Sequence, residues 1–97
     1  MNEVGCVALT LAKPEFRDAV EGFLKDLIEP VHKEAGVIQY EMHRDISNPC
    51  RFVFIERWQS REHFEAHVRA PHILRYLELT KGMLDRAEFY ALDRVAG

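Results

Sequence analysis

Two apolar rhythms alternate along the chain. Val4–Ala12 (VGCVALTLA) is apolar almost throughout, as expected of a strand covered on both faces. Next, Phe16, Val20, Phe23, Leu24, Leu27, Ile28 and Val31 recur at helical spacing, with Arg17, Asp18, Glu21, Lys25 and Asp26 on the other side. That pattern predicts an amphipathic helix packed on a sheet. Pro14 suits its first turn and Glu15 favours the positive end of its dipole. Pro30 is expected to kink the helix or end its first segment, and Gly36 to cap its C-terminus. Residues 37–44 (VIQYEMHR) read as a second strand of mixed polarity, and 45–49 (DISNP) as a turn. A third strand runs from Cys50 or Arg51 to Trp58, completing a hairpin. Ser60 is placed to N-cap a further helix from Arg61, with His63 where a capping box would carry Glu or Gln. The helical pattern is interrupted at Pro71 and resumes through Ile73, Leu74 and Leu77 to Met83. Residues 86–94 (RAEFYALDR) close the chain as a fourth strand.

The order β-α-β-β-α-β defines an α+β, ferredoxin-like fold: one domain over residues 1–97, with a four-stranded antiparallel sheet carrying its helices on one face. Alternation puts Phe52, Phe54, Glu56 and Trp58 on one face of the third strand and Val53, Ile55 and Arg57 on the other. In the first strand Val7, Leu9 and Leu11 oppose Val4, Cys6 and Ala8. Helices cover only one face, so the other would leave a contiguous apolar patch in water, which soluble monomers rarely do. Two sheets packed face to face in a homodimer would cover it.

Composition narrows the function. Apolar residues make up 47% and charged residues 30% of the 97, which fits a globular protein with one modest core. The formal charge is −3, with acids and bases interspersed, so nucleic acid is not an expected partner. The start lacks a basic n-region and a hydrophobic h-region, and no apolar run approaches membrane-spanning length, which makes the cytoplasm the default location. Cys6 and Cys50 have neither metal-ligand spacing nor disulfide-scaffold density, and the topology puts them at opposite ends of the sheet; both read as reduced thiols.

Nearly all the candidate chemistry lies between Phe52 and His72. Glu56 shares a face with Phe52, Phe54 and Trp58, and burial there would raise its pKa toward the range of a useful base or donor. The plainer reading pairs Glu56 with an arginine such as Arg57, Arg61 or Arg75. Trp58 is expected to be core or pocket wall. His63 and His67 are four apart, yet the H-E-x-x-H zinc pattern is absent, so no metal is expected. His63 reads as a surface residue. His67 and His72 flank the helix break; five residues turn a helix by about 140°, at roughly 100° per residue, so they converge only if the chain bends at Pro71. A histidine in a pocket is poised to move protons near neutral pH. Gly-rich phosphate loops and local Ser-His or Cys-His pairings are absent, which points to a small apolar pocket with a few polar groups.

The runs LAKPEFRDAV, IEPVHKEAGVIQYEMHRD and NPCRFVFIERWQSREHFEAHVRAPH together resemble the antibiotic biosynthesis monooxygenase (ABM) superfamily of dimeric α+β barrels, closest to its quinol-monooxygenase type. The most specific pieces are Glu34-Ala35-Gly36 with Tyr40, then Glu56-Arg57-Trp58, then His67 and Pro71-His72. The resemblance implies a homodimer joined through its sheets, a pocket between sheet and helices, and oxidation of a quinol-like or polyketide-type aromatic with O2 as co-substrate and without a cofactor. It makes His67 or His72 the proton acceptor and Glu56 an orienting acceptor, with Trp58, Tyr76, Phe54 and Tyr40 in the pocket. Neither Asn2 nor Asn48 stands where the anthrone- and haem-oxidising branches carry an asparagine, which argues against haem degradation. The same fold also suits isomerisation or breakdown of a small, possibly phosphorylated, carbonyl metabolite, or a non-catalytic dimeric binding protein with a stress-response role. Basic groups such as Arg51, Arg75 or Lys81 converging on the pocket would favour the isomerase.

Overall fold

A computed structural model describes residues 2–97; Met1 lies outside the described residues. Four strands, β1 (Val4–Ala12), β2 (Val37–Asp45), β3 (Asn48–Trp58) and β4 (Leu84–Leu92), form one antiparallel sheet in the order β2-β3-β1-β4. The helices are α1 (Arg17–Lys25), α2 (Ile28–His32), α3 (Arg61–Val68) and α4 (Pro71–Leu79), with a 3-10 turn over Pro14–Phe16. This is the ferredoxin-like topology expected from the sequence.

The element boundaries differ in instructive places. The first helix breaks at Asp26–Leu27, ahead of Pro30, which sits inside α2. Pro30 has no N–H for the Asp26 carbonyl, so a continuous helix would fail one turn earlier than the proline itself. The hairpin turn is only Ile46-Ser47, because Asn48 and Pro49 already belong to β3. Asp45 Oδ1 accepts the Ser47 N–H at 2.8 Å and Asn48 Oδ1 accepts the Cys50 N–H at 3.0 Å, so the two side chains close the turn tightly. The second helical pair is cut at Arg69–Ala70, and Pro71 starts α4, where a missing N–H is harmless. That helix ends at Leu79; Thr80 Oγ1 donates back to the Tyr76 carbonyl at 2.9 Å, and Gly82 turns the chain at φ 78°. β4 therefore begins two residues before the expected start.

Alternation is obeyed across the sheet. Phe52, Phe54, Glu56 and Trp58 are each no more than 4% exposed and face the helices. Val20 and Leu24 of α1, Val31 of α2, Phe64 and His67 of α3 and Tyr76 of α4 cover them. The opposite face carries Ile55, Val7 and Tyr90 as one row and Val53 beside Leu9 as the next, and Ile55 and Tyr90 stand exposed. Cys6 and Cys50 are free thiols. No helix among the described residues is long and apolar enough to cross a membrane.

α2 is capped at Lys33 and not at Gly36; Gly36, at φ 82°, instead turns the segment after α2 into β2, and its carbonyl accepts the Gln59 N–H at 2.8 Å. A Cβ added there would lie 2.2 Å from His63 Cγ, so the segment and α3 are fitted together at this glycine. Gly36→Ala should cost more than about 2 kcal/mol, combining left-handed backbone strain with the displacement of α3. Urea unfolding checks this; an unchanged midpoint and slope would show that the contact is slack.

Candidate active site

Between the sheet and the α3–α4 pair lies a cavity of about 290 Å³. Ala8, Phe54, Ile73, Leu84 and Phe89 supply apolar wall, and Thr10, Tyr40, Glu56, His67 and Tyr76 supply polar groups. A larger hollow of about 840 Å³ lies around Asn2, Arg57 and Asp93. It is polar surface bridged by the Glu3–Arg57 ion pair and holds none of these groups.

His67 is placed by its helix. Ser60 caps α3, with its Oγ accepting the His63 N–H at 3.2 Å, and this sets Phe64 and His67 on the buried side three residues apart. The His67 ring lies against Trp58, with centroids 4.4 Å apart, and meets Tyr40 edge-on at 5.6 Å. Its Nδ1 is 3.0 and 3.1 Å from the two Glu34 oxygens. Those acceptors fix the proton on Nδ1 and leave the Nε2 lone pair on the cavity side. Nε2 is 3.7 Å from Glu56 Oε1, too far for a hydrogen bond. Burial pulls the His67 pKa below its ordinary 6.5, and the Glu34 contact only partly opposes this. The ring is therefore neutral at neutral pH, ready to accept a proton.

Glu56 is buried, and Trp58 Nε1–H donates to its Oε1 at 3.0 Å. None of the three proposed arginines reaches it: Arg57 pairs with Glu3, Arg61 with Glu65, and Arg75 faces a different hollow. Burial pushes the carboxyl up to about 7; the Trp58 hydrogen bond restrains the rise and the Glu34 charge adds to it. The same burial raises Tyr40 and takes the Cys6 thiol to about 12, so Cys6 is protonated and inert. The buried Tyr76 hydroxyl has no partner at hydrogen-bonding geometry. The Thr10 and Thr80 hydroxyls only temper the rise in its pKa.

Several expectations change. Trp58 is fully buried and does not line the cavity; it backs the His67 ring and holds Glu56. His67 and His72 do converge, but on a carboxylate rather than on a shared pocket. His72 Nε2 lies 2.5 Å from Glu34 Oε2, while the His72 ring borders a second hollow of about 370 Å³ between α1 and α4. The break at Arg69–Ala70 supplies the bend that a continuous helix would lack. His63 is half-buried instead of exposed, with Nδ1 2.8 Å from Ser60 Oγ, so it does not share a neighbour with His67. Glu34 is one of the residues that carry the family resemblance, without a catalytic role implied by it; it lies two residues before Gly36, where the chain is pinned to the β3–α3 corner.

The profile of the antibiotic biosynthesis monooxygenase family matches residues 4–79. The chain is 34% identical over 74 residues to the probable quinol monooxygenase YgiN of Escherichia coli, covering 68% of this chain and 71% of that one. It is 24% identical over 84 residues to the uncharacterised protein sll1783 of Synechocystis, covering 87% of this chain but only 57% of that relative's length. Among solved structures, PA3566 from Pseudomonas aeruginosa superposes with a TM-score of 0.91 at 29% identity, over 99% of this chain and 97% of that one. With its fold, its cavity and these likenesses in agreement, the chain belongs to the antibiotic biosynthesis monooxygenase family.

Proposed function

We propose that this protein is a cytoplasmic, homodimeric monooxygenase that oxidises a small quinol-like aromatic with O2, the electrons coming from the substrate and not from a bound cofactor. The observation that carries the reading is the placement of His67, which lines the cavity with Nδ1 held by Glu34 and Nε2 3.7 Å from the cavity-lining Glu56. The likeness to a probable quinol monooxygenase supports the substrate class.

The chemistry follows from that placement. Nε2 takes the proton of a substrate hydroxyl, so the O–H bond breaks and an N–H bond forms. The resulting anion gives one electron to O2, and the radical pair joins at a ring carbon as a hydroperoxide. Loss of water from C(H)–OOH leaves a C=O group. The quinol thus gains one oxygen atom and loses two hydrogens, which leave with the second oxygen as water. Glu56, 3.7 Å from Nε2, is a counter-charge for the imidazolium once its own proton leaves, at about pH 7, and Trp58 keeps it aimed. The unpartnered Tyr76 hydroxyl is a donor for a second substrate oxygen. The cavity is at the small end for such sites and suits a compact ring system.

The phosphorylated-carbonyl alternative is not favoured. Neither lysine nor arginine lines the cavity; Arg51 pairs with Asp45 and Lys81 with Glu78.

The open sheet face supports the dimer. Ile55, Val7, Tyr90, Val53 and Leu9 form an apolar centre, and Glu41, His43, Arg51 and Arg86 lie across the same strands as a charged rim. An apolar core inside a polar rim is the usual anatomy of an interface.

Purified, chelator-treated protein should take up O2 with at least one member of a hydroquinone and anthrone panel, and His67→Ala should cut turnover by about 10²-fold or more. The rate should fall on the acid side at a pH below 6.5, where the lowered His67 pKa lets the ring protonate. Absence of uptake across the panel would overturn the quinol reading.

Stability provides a check on Glu56. The folded protein keeps this proton to about pH 7 and the unfolded chain releases it near 4.5, so folding stability falls as pH rises through that window. Glu56→Gln should therefore gain on the wild type by on the order of 2–3 kcal/mol between pH 4 and pH 8. Thermal or urea unfolding at both pH values reads this, and parallel curves would place Glu56 in a wetter site. Sedimentation at micromolar concentration should give a dimer, and Ile55→Lys should shift it to monomer; a monomeric wild type would contradict the interface.

A further inference from the structure

We propose that Glu34 and His72 form, with His67, a reversible proton store that carries the substrate's proton out of the reaction cavity and returns it when water leaves. This rests on the monooxygenase reading for the source of the proton, but the store itself can be detected without turnover.

Three elements build it. Glu34 comes from the segment between α2 and β2, His67 from α3 and His72 from the first turn of α4. Leu27 and Tyr76 line both the 290 Å³ cavity and the 370 Å³ hollow, so the two spaces share a wall. His67 lines only the first and His72 only the second, and the Glu34 carboxyl joins them at 3.0 and 2.5 Å. The His67 residue is 5% exposed, whereas the His72 side chain is 26% exposed. The chain of contacts thus runs from a buried histidine to a partly exposed one. A carboxylate needed only to orient His67 has no use for a second imidazole at 2.5 Å.

The proton count closes. At rest, His67 carries its proton on Nδ1, one proton is shared between Glu34 Oε2 and His72 Nε2, and His72 carries another on Nδ1. When His67 Nε2 takes the substrate proton, its Nδ1 proton passes to a Glu34 oxygen and the shared proton moves onto His72 Nε2. The positive charge then sits on His72 and no longer beside the substrate anion, where it would hold back electron transfer to O2. Running the steps backward delivers a proton to the departing hydroxide and restores each tautomer. The hollow that His72 borders also presents Asp26 and Arg75, one of each sign.

Two measurements test the store. In protein labelled with ¹⁵N-histidine, the His67 and His72 ring nitrogens should titrate together in the wild type and separately in Glu34→Gln. In the oxygenase assay, His72→Gln, which keeps a donor for Glu34, should lower kcat about tenfold or more with KM unchanged. His72→Ala should be rescued by added imidazoles, with rates that depend on the pKa of the imidazole. Independent titration in the wild type, or, where the wild type turns over, rescue that is absent or indifferent to imidazole pKa, would overturn the store. Joint titration with no quinol oxidised would leave the store standing and remove the monooxygenase reading. Turnover with independent titration would do the reverse.

Discussion

The contact between His67 and Glu34 is the one on which the site depends. It joins a helix to a loop 33 residues away in sequence, inside an interior where an unpaired imidazole or carboxyl would be costly. Because Glu34 occupies Nδ1, the ring presents a free Nε2 to the cavity. Because the pair is buried, that nitrogen is unprotonated when the surroundings are neutral. Trp58 supports the arrangement twice, stacking on the imidazole and donating to Glu56. One indole therefore fixes the position of the base and the orientation of its counter-charge.

Glu56 and His67 are neighbours whose pKa values move in opposite directions: the carboxyl rises to about 7 while the imidazole falls from 6.5. Both shifts have burial as their largest cause, acting in opposite directions because the charged form is the base in one and the acid in the other.

The topology and the face of each central strand were legible in the sequence because strand alternation is a local signal and the apolar residues obey it. Phe52, Phe54, Glu56 and Trp58 were placed on one face by period alone, and the chain buries all four. Boundaries were less legible where one residue acts at a distance: Pro30 breaks the helix through the Asp26 carbonyl, and Gly82 and Thr80 stop α4 before an apolar pattern that continues to Met83. The contact of Glu34 with the two histidines was invisible for a different reason. An exposed-looking acid in a Lys-Glu-Ala-Gly loop gains meaning only when α3 is laid over it. The convergence of His67 and His72 was likewise conditional on a bend whose direction no periodicity encodes.

The fastening at Gly36 divides the molecule's labour. The loop bearing Glu34 is tied by backbone to Gln59 and fitted beneath His63, so Glu34, Glu56 and His67 hang from the β3–α3 corner and the segment before β2. Much of the remaining cavity wall, including Ile73, Leu77, Leu84 and Phe89, comes from α4 and β4. Substitutions at those four wall positions can reshape the space offered to a ligand while Glu34, His67 and His72 keep their contacts. Such a separation lets a lineage explore new substrates while its reaction type stays fixed.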